Sequence, residues 1–238
     1  MFPIDDDNPT IITPFITYGL IALNVLIFLY ELTFSEQSLT QFFYQWAVVP
    51  IQLTGEFTGN AYPALRGGEP PEVLTLITSQ FLHGGFLHVA GNMLFLWIFG
   101  NNVEDQLGHL KFLFFYLACG VLASLAQWFF SQGSQLPSLG ASGAIAGVMG
   151  AYIIRFPNVS VRTVIPIGIF PFFTRIPAYF YLGIWFLQQA LYSFATLAPR
   201  MNVGMESGGV AYWAHAGGFV FGAILGPILG LFSQRSEA

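Results

Sequence analysis

Charge is the scarcest property of this sequence. Lys, Arg, Asp and Glu make up only 8% of the 238 residues, against roughly 25% in soluble domains. A water-soluble fold of this size needs more charge to cover its surface, and 55% of the residues here are hydrophobic. Lipid is therefore the expected main solvent. Cysteine is nearly absent: Cys119 stands alone in an apolar run, which excludes a disulfide framework. No cluster of Lys and Arg suggests a nucleic-acid partner. A His-Glu-x-x-His zinc signature is missing. The N-terminus opens on Asp5, Asp6 and Asp7 rather than on basic residues. It reads as a solvated tail, not as a signal peptide or a metal site.

What is present is a series of apolar runs of spanning length, about 20 residues each. Six segments qualify: 15–34, 81–100, 111–130, 141–156, 178–198 and 212–232. The fourth is short and glycine-rich. There is no internal repeat and no low-complexity linker. The sequence thus predicts an all-α membrane protein, a six-helix bundle with a long first loop. Its single domain covers 15–232, between an N-terminal tail (1–14) and a C-terminal tail (233–238). The first loop, 35–76, has turn signals at Gly67-Gly68 and Pro70-Pro71. It also carries Phe42, Phe43, Tyr44 and Trp46, which suit the membrane interface. The 157–177 connection holds Pro157, Pro166, Pro171 and Pro177, which argue against a seventh straight span but allow re-entry.

With six spans, both termini share a side with the second and fourth connections. That side carries Lys111, Arg155, Arg162, Arg175 and Arg235; the other carries Arg66 and Arg200. The excess places the termini in the cytoplasm.

Polar groups inside a membrane are costly and usually functional. No Lys, Arg or carboxylate falls mid-span, since Glu31 sits near a helix end. The notable residues are His88 and Asn92 in the second span, Ser142 opening the fourth and His215 near the start of the sixth. His88 and Asn92 share a helix face, whereas His83 falls about 140° away and belongs to the preceding turn. The simpler reading of His88 and Asn92 is hydrogen bonding between helices. A metal site fits less well, with no Cys or carboxylate nearby. Gly143, Gly147 and Gly150 form a stripe beside Ser142; Ala211, His215, Gly222 and Gly226 form another, with Gly218 beside it. Two such helices can pack closely with Ser142 and His215 at similar depth. Glycine packing alone explains the glycines but not a buried His without a partner. A serine hydroxyl needs a base to become a nucleophile, and His215 can be that base. No carboxylate lies near the same depth, so the pattern supports a Ser–His dyad rather than a triad. The His88 imidazole, the Asn92 amide and the Ser142 N–H can supply the donors that a tetrahedral oxyanion requires.

At these residues the chain resembles the rhomboid family of intramembrane proteases. The resemblance rests on His83-x4-His88-x3-Asn92, on Gly140-Ala-Ser142-Gly, and on Ala214-His215-Ala-Gly-Gly218, in the family's order over about residues 15–232. The stretch from Arg155-Phe-Pro to Trp185-Phe-Leu-Gln188 also resembles bacterial members. The resemblance implies Ser142 as nucleophile, His215 as general base, and His88, Asn92 and the Ser142 amide as oxyanion donors. It implies an outward-opening, water-filled pocket capped by the loop before the last span, with the fifth span as lateral gate. Substrates would be single-span membrane proteins that unwind locally, the partners being these and the lipid bilayer. No cofactor, metal or nucleic acid is implied. The expected location is a bacterial inner membrane with cytoplasmic termini. Two positions depart from the family pattern. Leu74-Thr75 replaces a Trp-Arg pair of the first loop, and Ala146 replaces an aromatic that packs on the catalytic imidazole. This leaves Tyr212 or Trp213 to support His215, or a looser dyad. The competing class is a non-catalytic rhomboid-like protein that binds membrane helices, which typically lacks the Ser or His. A transporter or channel lacks support, with no inverted repeat or ionisable pathway.

Overall fold

A computed structural model describes residues 1–59, 71–168, 170–197 and 210–233. In chain order, strand β1 (Phe2–Asp6) precedes helix α1 (Phe15–Glu31). The first connection carries α2 (Glu36–Trp46) and α3 (Pro50–Thr58), then α4 (Glu72–Thr78) with a 3-10 turn (Ser79–Phe81). Helix α5 (Phe86–Phe95) runs through a π-helical turn (Leu96–Gly100) into α6 (Asn101–Leu107). Then come α7 (His109–Phe130), α8 (Ser142–Arg155), a hairpin of β2 (Ser160–Ile167) and β3 (Phe170–Pro177), α9 (Ala178–Ala195) and α10 (Tyr212–Leu229). Each of the six apolar segments is therefore helical over most of its length.

Among the described residues, α7 and α10 are long and apolar enough to cross a membrane by themselves. The α4 region and the α5–α6 helix form a third apolar unit, bent by 82°. Helices α1 and α8 are apolar but shorter. The turn signals at Gly67-Gly68 and Pro70, the cations Arg66, Arg200 and Arg235, and the loop before α10 lie outside the described residues.

Helix α8 is the centre of the bundle. Every residue from Gly143 to Tyr152 is buried, as expected of a helix walled in on all sides. Its glycines permit this. A β-carbon on Gly150 would strike the carbonyl of Phe219, and one on Gly218 would strike that of Gly143. The α8–α10 contact is thus backbone against backbone, the close approach expected from the two small-residue stripes.

Three readings are corrected. The fold is not all-α: β1, β2 and β3 form an antiparallel sheet in that order. The 157–177 connection is a hairpin rather than a re-entrant span. Nor do the three N-terminal acids form a solvated tail. β1 pairs with β2, placing Phe2 opposite Val164 and Asp6 opposite Val161. Asp5 meets Arg162, and Asp7 meets Arg175 at 3.2 Å. Asp6 is buried, accepting hydrogen bonds from Tyr152 and from Asn102 Nδ2. The start of α1 is also tied down. Glu104 accepts from the Ile16 and Thr17 N–H groups at 2.9 and 2.7 Å, and Asp105 accepts from Ile11 and Ile12. These contacts satisfy donors that a helix start leaves open. They also put the N-terminus on the same end of the bundle as the second and fourth connections.

Candidate active site

Ser142 is the first residue of α8. The chain reaches it through Gly140, whose φ of +122° lies where only glycine sits without strain. This turn points the Ser142 side chain toward α10. As an N-terminal helix residue, Ser142 also has no carbonyl one turn earlier to accept its N–H.

His215 stands on the first turn of α10. Its Nε2 lies 2.8 Å from Ser142 Oγ. Its Nδ1 lies 2.9 Å from Oε1 of Gln189 on α9. An amide oxygen can only accept, so Nδ1 carries the proton and Nε2 turns a lone pair to the serine hydroxyl. That is the tautomer a base for Ser142 requires. Both Ser142 and His215 are half-buried, close-packed yet open to a reactant.

His88 lies on the opposite flank of Gly140. A β-carbon on Gly140 would sit 2.8 Å from His88 Nε2 and 3.7 Å from Ser142 Oγ. Only a bare α-carbon therefore fits between imidazole and hydroxyl. Asn92, one turn along α5, is buried, and its described side-chain hydrogen bond runs to His83 Nε2 at 2.9 Å, not to Ser142. Nδ2 carries two hydrogens, so one remains for another acceptor. No cluster of potential metal ligands occurs among the described residues.

The support for His215 comes from neither Tyr212 nor Trp213. Tyr212 packs on Tyr192, while Trp213 stacks on Phe130 at 3.6 Å. Trp185 of α9 tilts over the imidazole instead, with ring centroids 5.8 Å apart. Sequence reasoning missed Gln189, Trp185 and the His83–Asn92 bond. Gln189 was within reach of the rule that singled out His88, being an amide deep in an apolar helix. The His83 bond had no such signal, because Gly84 and Gly85 break the helical periodicity between His83 and Asn92.

Comparison with known proteins shows the family. The Rhomboid domain family model matches residues 70–232. Rhomboid protein 1, mitochondrial, of Saccharomyces cerevisiae is 32% identical over 159 residues, 64% of this chain and 41% of that protein. Rhomboid protease GluP of Bacillus subtilis is 46% identical over 78 residues, 33% of this chain and 15% of its own. The human Presenilin-associated rhomboid-like protein, mitochondrial, is 33% identical over 144 residues, 59% of this chain and 32% of its own. The chain covers less than half the length of each of these relatives. The family match takes in most of this sequence, including Ser142, His215, His88 and Asn92, and by it the chain belongs to the rhomboid family of membrane-embedded proteins.

Proposed function

We propose that this chain is an intramembrane serine endopeptidase that cleaves transmembrane segments of single-span membrane proteins. The observation that carries this reading is the 2.8 Å contact between Ser142 Oγ and His215 Nε2, made between two apolar helices. Six membrane-crossing helices form the scaffold: α1, α5 with its continuation, α7, α8, α9 and α10. The termini face the cytoplasm of a bacterial inner membrane, on the side of Arg155, Arg162 and Arg175. Helix α8 has 14 residues and is about 21 Å long, shorter than a hydrocarbon core of about 30 Å. Ser142 at its end is thus recessed below one membrane face, where water must reach it through a pocket.

His215 takes the Ser142 proton on Nε2 as Oγ attacks the scissile carbonyl. The negative oxygen formed is held by the Ser142 N–H, His88 and the second Asn92 hydrogen. Preorganised donors of this kind typically contribute about 10²–10³ each in turnover. His215 then returns the proton to the leaving amine, and a water deprotonated by the same imidazole releases the acyl group. The substrate helix must unwind first, because a helical peptide bond is shielded by its own turn.

Labelling with a fluorophosphonate probe in detergent tests the reading. The folded wild type should label, and Ser142→Ala and His215→Ala should not. A folded wild type that stays unlabelled would point to the non-catalytic helix binder instead.

A further inference from the structure

An unrestrained neutral imidazole exists as two tautomers, and only the one protonated on Nδ1 can accept a proton at Nε2. Something must hold His215 in that form. The described residues set no carboxyl group against its Nδ1. The atom in that position is Oε1 of Gln189, at 2.9 Å.

We propose that Gln189 is the positioning residue for the His215 base, the neutral third member of a Ser142–His215–Gln189 relay. This rests on the dyad reading above. Gln189 is only 7% exposed, whereas its neighbour Gln188 is exposed. Burying an amide in an apolar helix is unfavourable unless it is hydrogen-bonded, and His215 is its described side-chain partner. Trp185 lies one turn earlier on the same face of α9 and covers the imidazole ring. Helix α9 therefore restrains the base twice, at its Nδ1–H and over its ring. Gln189 exchanges no proton: Nδ1 keeps its hydrogen throughout, and the proton of Ser142 moves to Nε2 and on to the leaving group. When the imidazolium forms, the amide dipole also faces the new positive charge.

A purely structural amide joining α9 to α10 would affect folding but not the titration of the base. The test therefore compares fluorophosphonate labelling rates across pH for wild type, Gln189→Met and Gln189→Glu, with a thermal transition to verify folding. Met matches the length of Gln and removes the amide acceptor. Its labelling rate should fall about tenfold, the worth of one lost hydrogen bond, and its acid limb should move to lower pH. Gln189→Glu should keep near wild-type labelling at high pH, with the acid limb displaced to higher pH, because an anion favours the imidazolium. Among the described residues, His88 acts on His215 and His83 lies against His88 with ring centroids 5.0 Å apart; both are common to all three proteins. Superimposed profiles at equal rates would overturn the proposal while leaving the dyad standing. If Gln189→Met does not fold, the Gln189→Glu profile decides alone, and an unmoved acid limb overturns the proposal. A wild type that fails to label overturns the dyad and this inference together.

Discussion

Gly222 of α10 lies directly on the backbone carbonyl of Gly147 of α8, with no room for a side chain between them. That contact lies two turns along α10 from His215 and sets how closely α8 and α10 approach. Gly222→Ala should cost at least about 1–3 kcal/mol of stability, the usual range for overpacking, because the obstacle is backbone and cannot rotate away. Activity should fall with it, as Ser142 and His215 are pushed apart. On α9, a β-carbon at Gly183 meets nothing within 4 Å, so Gly183→Ala should leave both unchanged. Thermal midpoints and labelling rates of the two variants check this.

The close approach also requires Gly140. A β-carbon there meets His88 Nε2 at 2.8 Å, and the backbone has a positive φ. Gly140→Ala should cost about 1–2 kcal/mol from the left-handed backbone alone. It should also displace His88, and with the oxyanion role proposed for His88 this lowers turnover more than substrate binding. A kcat/KM analysis on a membrane-spanning peptide separates the two effects.

Sequence patterning revealed what depends on local or periodic signals. The six helices follow from apolar length, and the Ser142–His215 meeting follows from the two glycine stripes. What escaped depends on distant pairing. Phe2–Asp6 reads as an acidic tail because its partner, β2, lies far along the chain, and neither strand has a hydrophobic alternation strong enough to signal alone. The prolines that argue against a seventh straight span in 157–177 sit where a hairpin tolerates them. Pro166 and Pro171 face each other beyond the part of β2 that β1 covers. Gln189 differs from these: as an amide in an apolar helix it carries the same signal as Asn92, and only its pairing with His215 needed the structure.

Asn92 and His83 yield a graded prediction. His83 Nε2 accepts one hydrogen of the Asn92 amide, which leaves the other directed by that bond. Asn92→Ala should lower kcat by about 10²–10³ as a lost oxyanion donor. His83→Phe should cost less, since Asn92 remains but is held less firmly. If His83→Phe proved as damaging as Asn92→Ala in a folded protein, His83 itself would have to contact the reacting group.

Asp6 makes the N-terminal strand sensitive to pH. Burial, opposed by the hydrogen bond from Tyr152, pushes its carboxyl from 3.8 up to about 6. The folded state therefore holds a proton that the unfolded chain has lost between these values. Its contribution is full below about 3.8 and is lost as pH rises through about 6. Protection factors of the β1 amides, which divide out the intrinsic base-catalysed exchange, should accordingly fall from pH 5 to 7. Asp6→Asn, which stays neutral, should keep them constant, and equal protection profiles for the two proteins would refute it.

Glu104 is wholly buried and accepts from the Ile16 and Thr17 N–H groups, from the Thr17 hydroxyl at 2.7 Å and lies 2.6 Å from His109 Nδ1. Glu104→Ala strands the buried Thr17 N–H and hydroxyl at about 1–3 kcal/mol each, and the part-buried Ile16 N–H and the partly exposed His109 lose their partner as well. Thr17 is itself fully buried, so water cannot readily take the place of the lost carboxyl group. The loss should exceed about 3 kcal/mol in total, and Glu104→Gln should fall between, since its amide turns one donor toward donors. Helix α1 contributes no group to Ser142 or His215, so labelling per folded molecule should be unchanged. A thermal transition measured beside the labelling rate separates the two, and loss of labelling at full stability would mean that the α1 anchor also acts on the site.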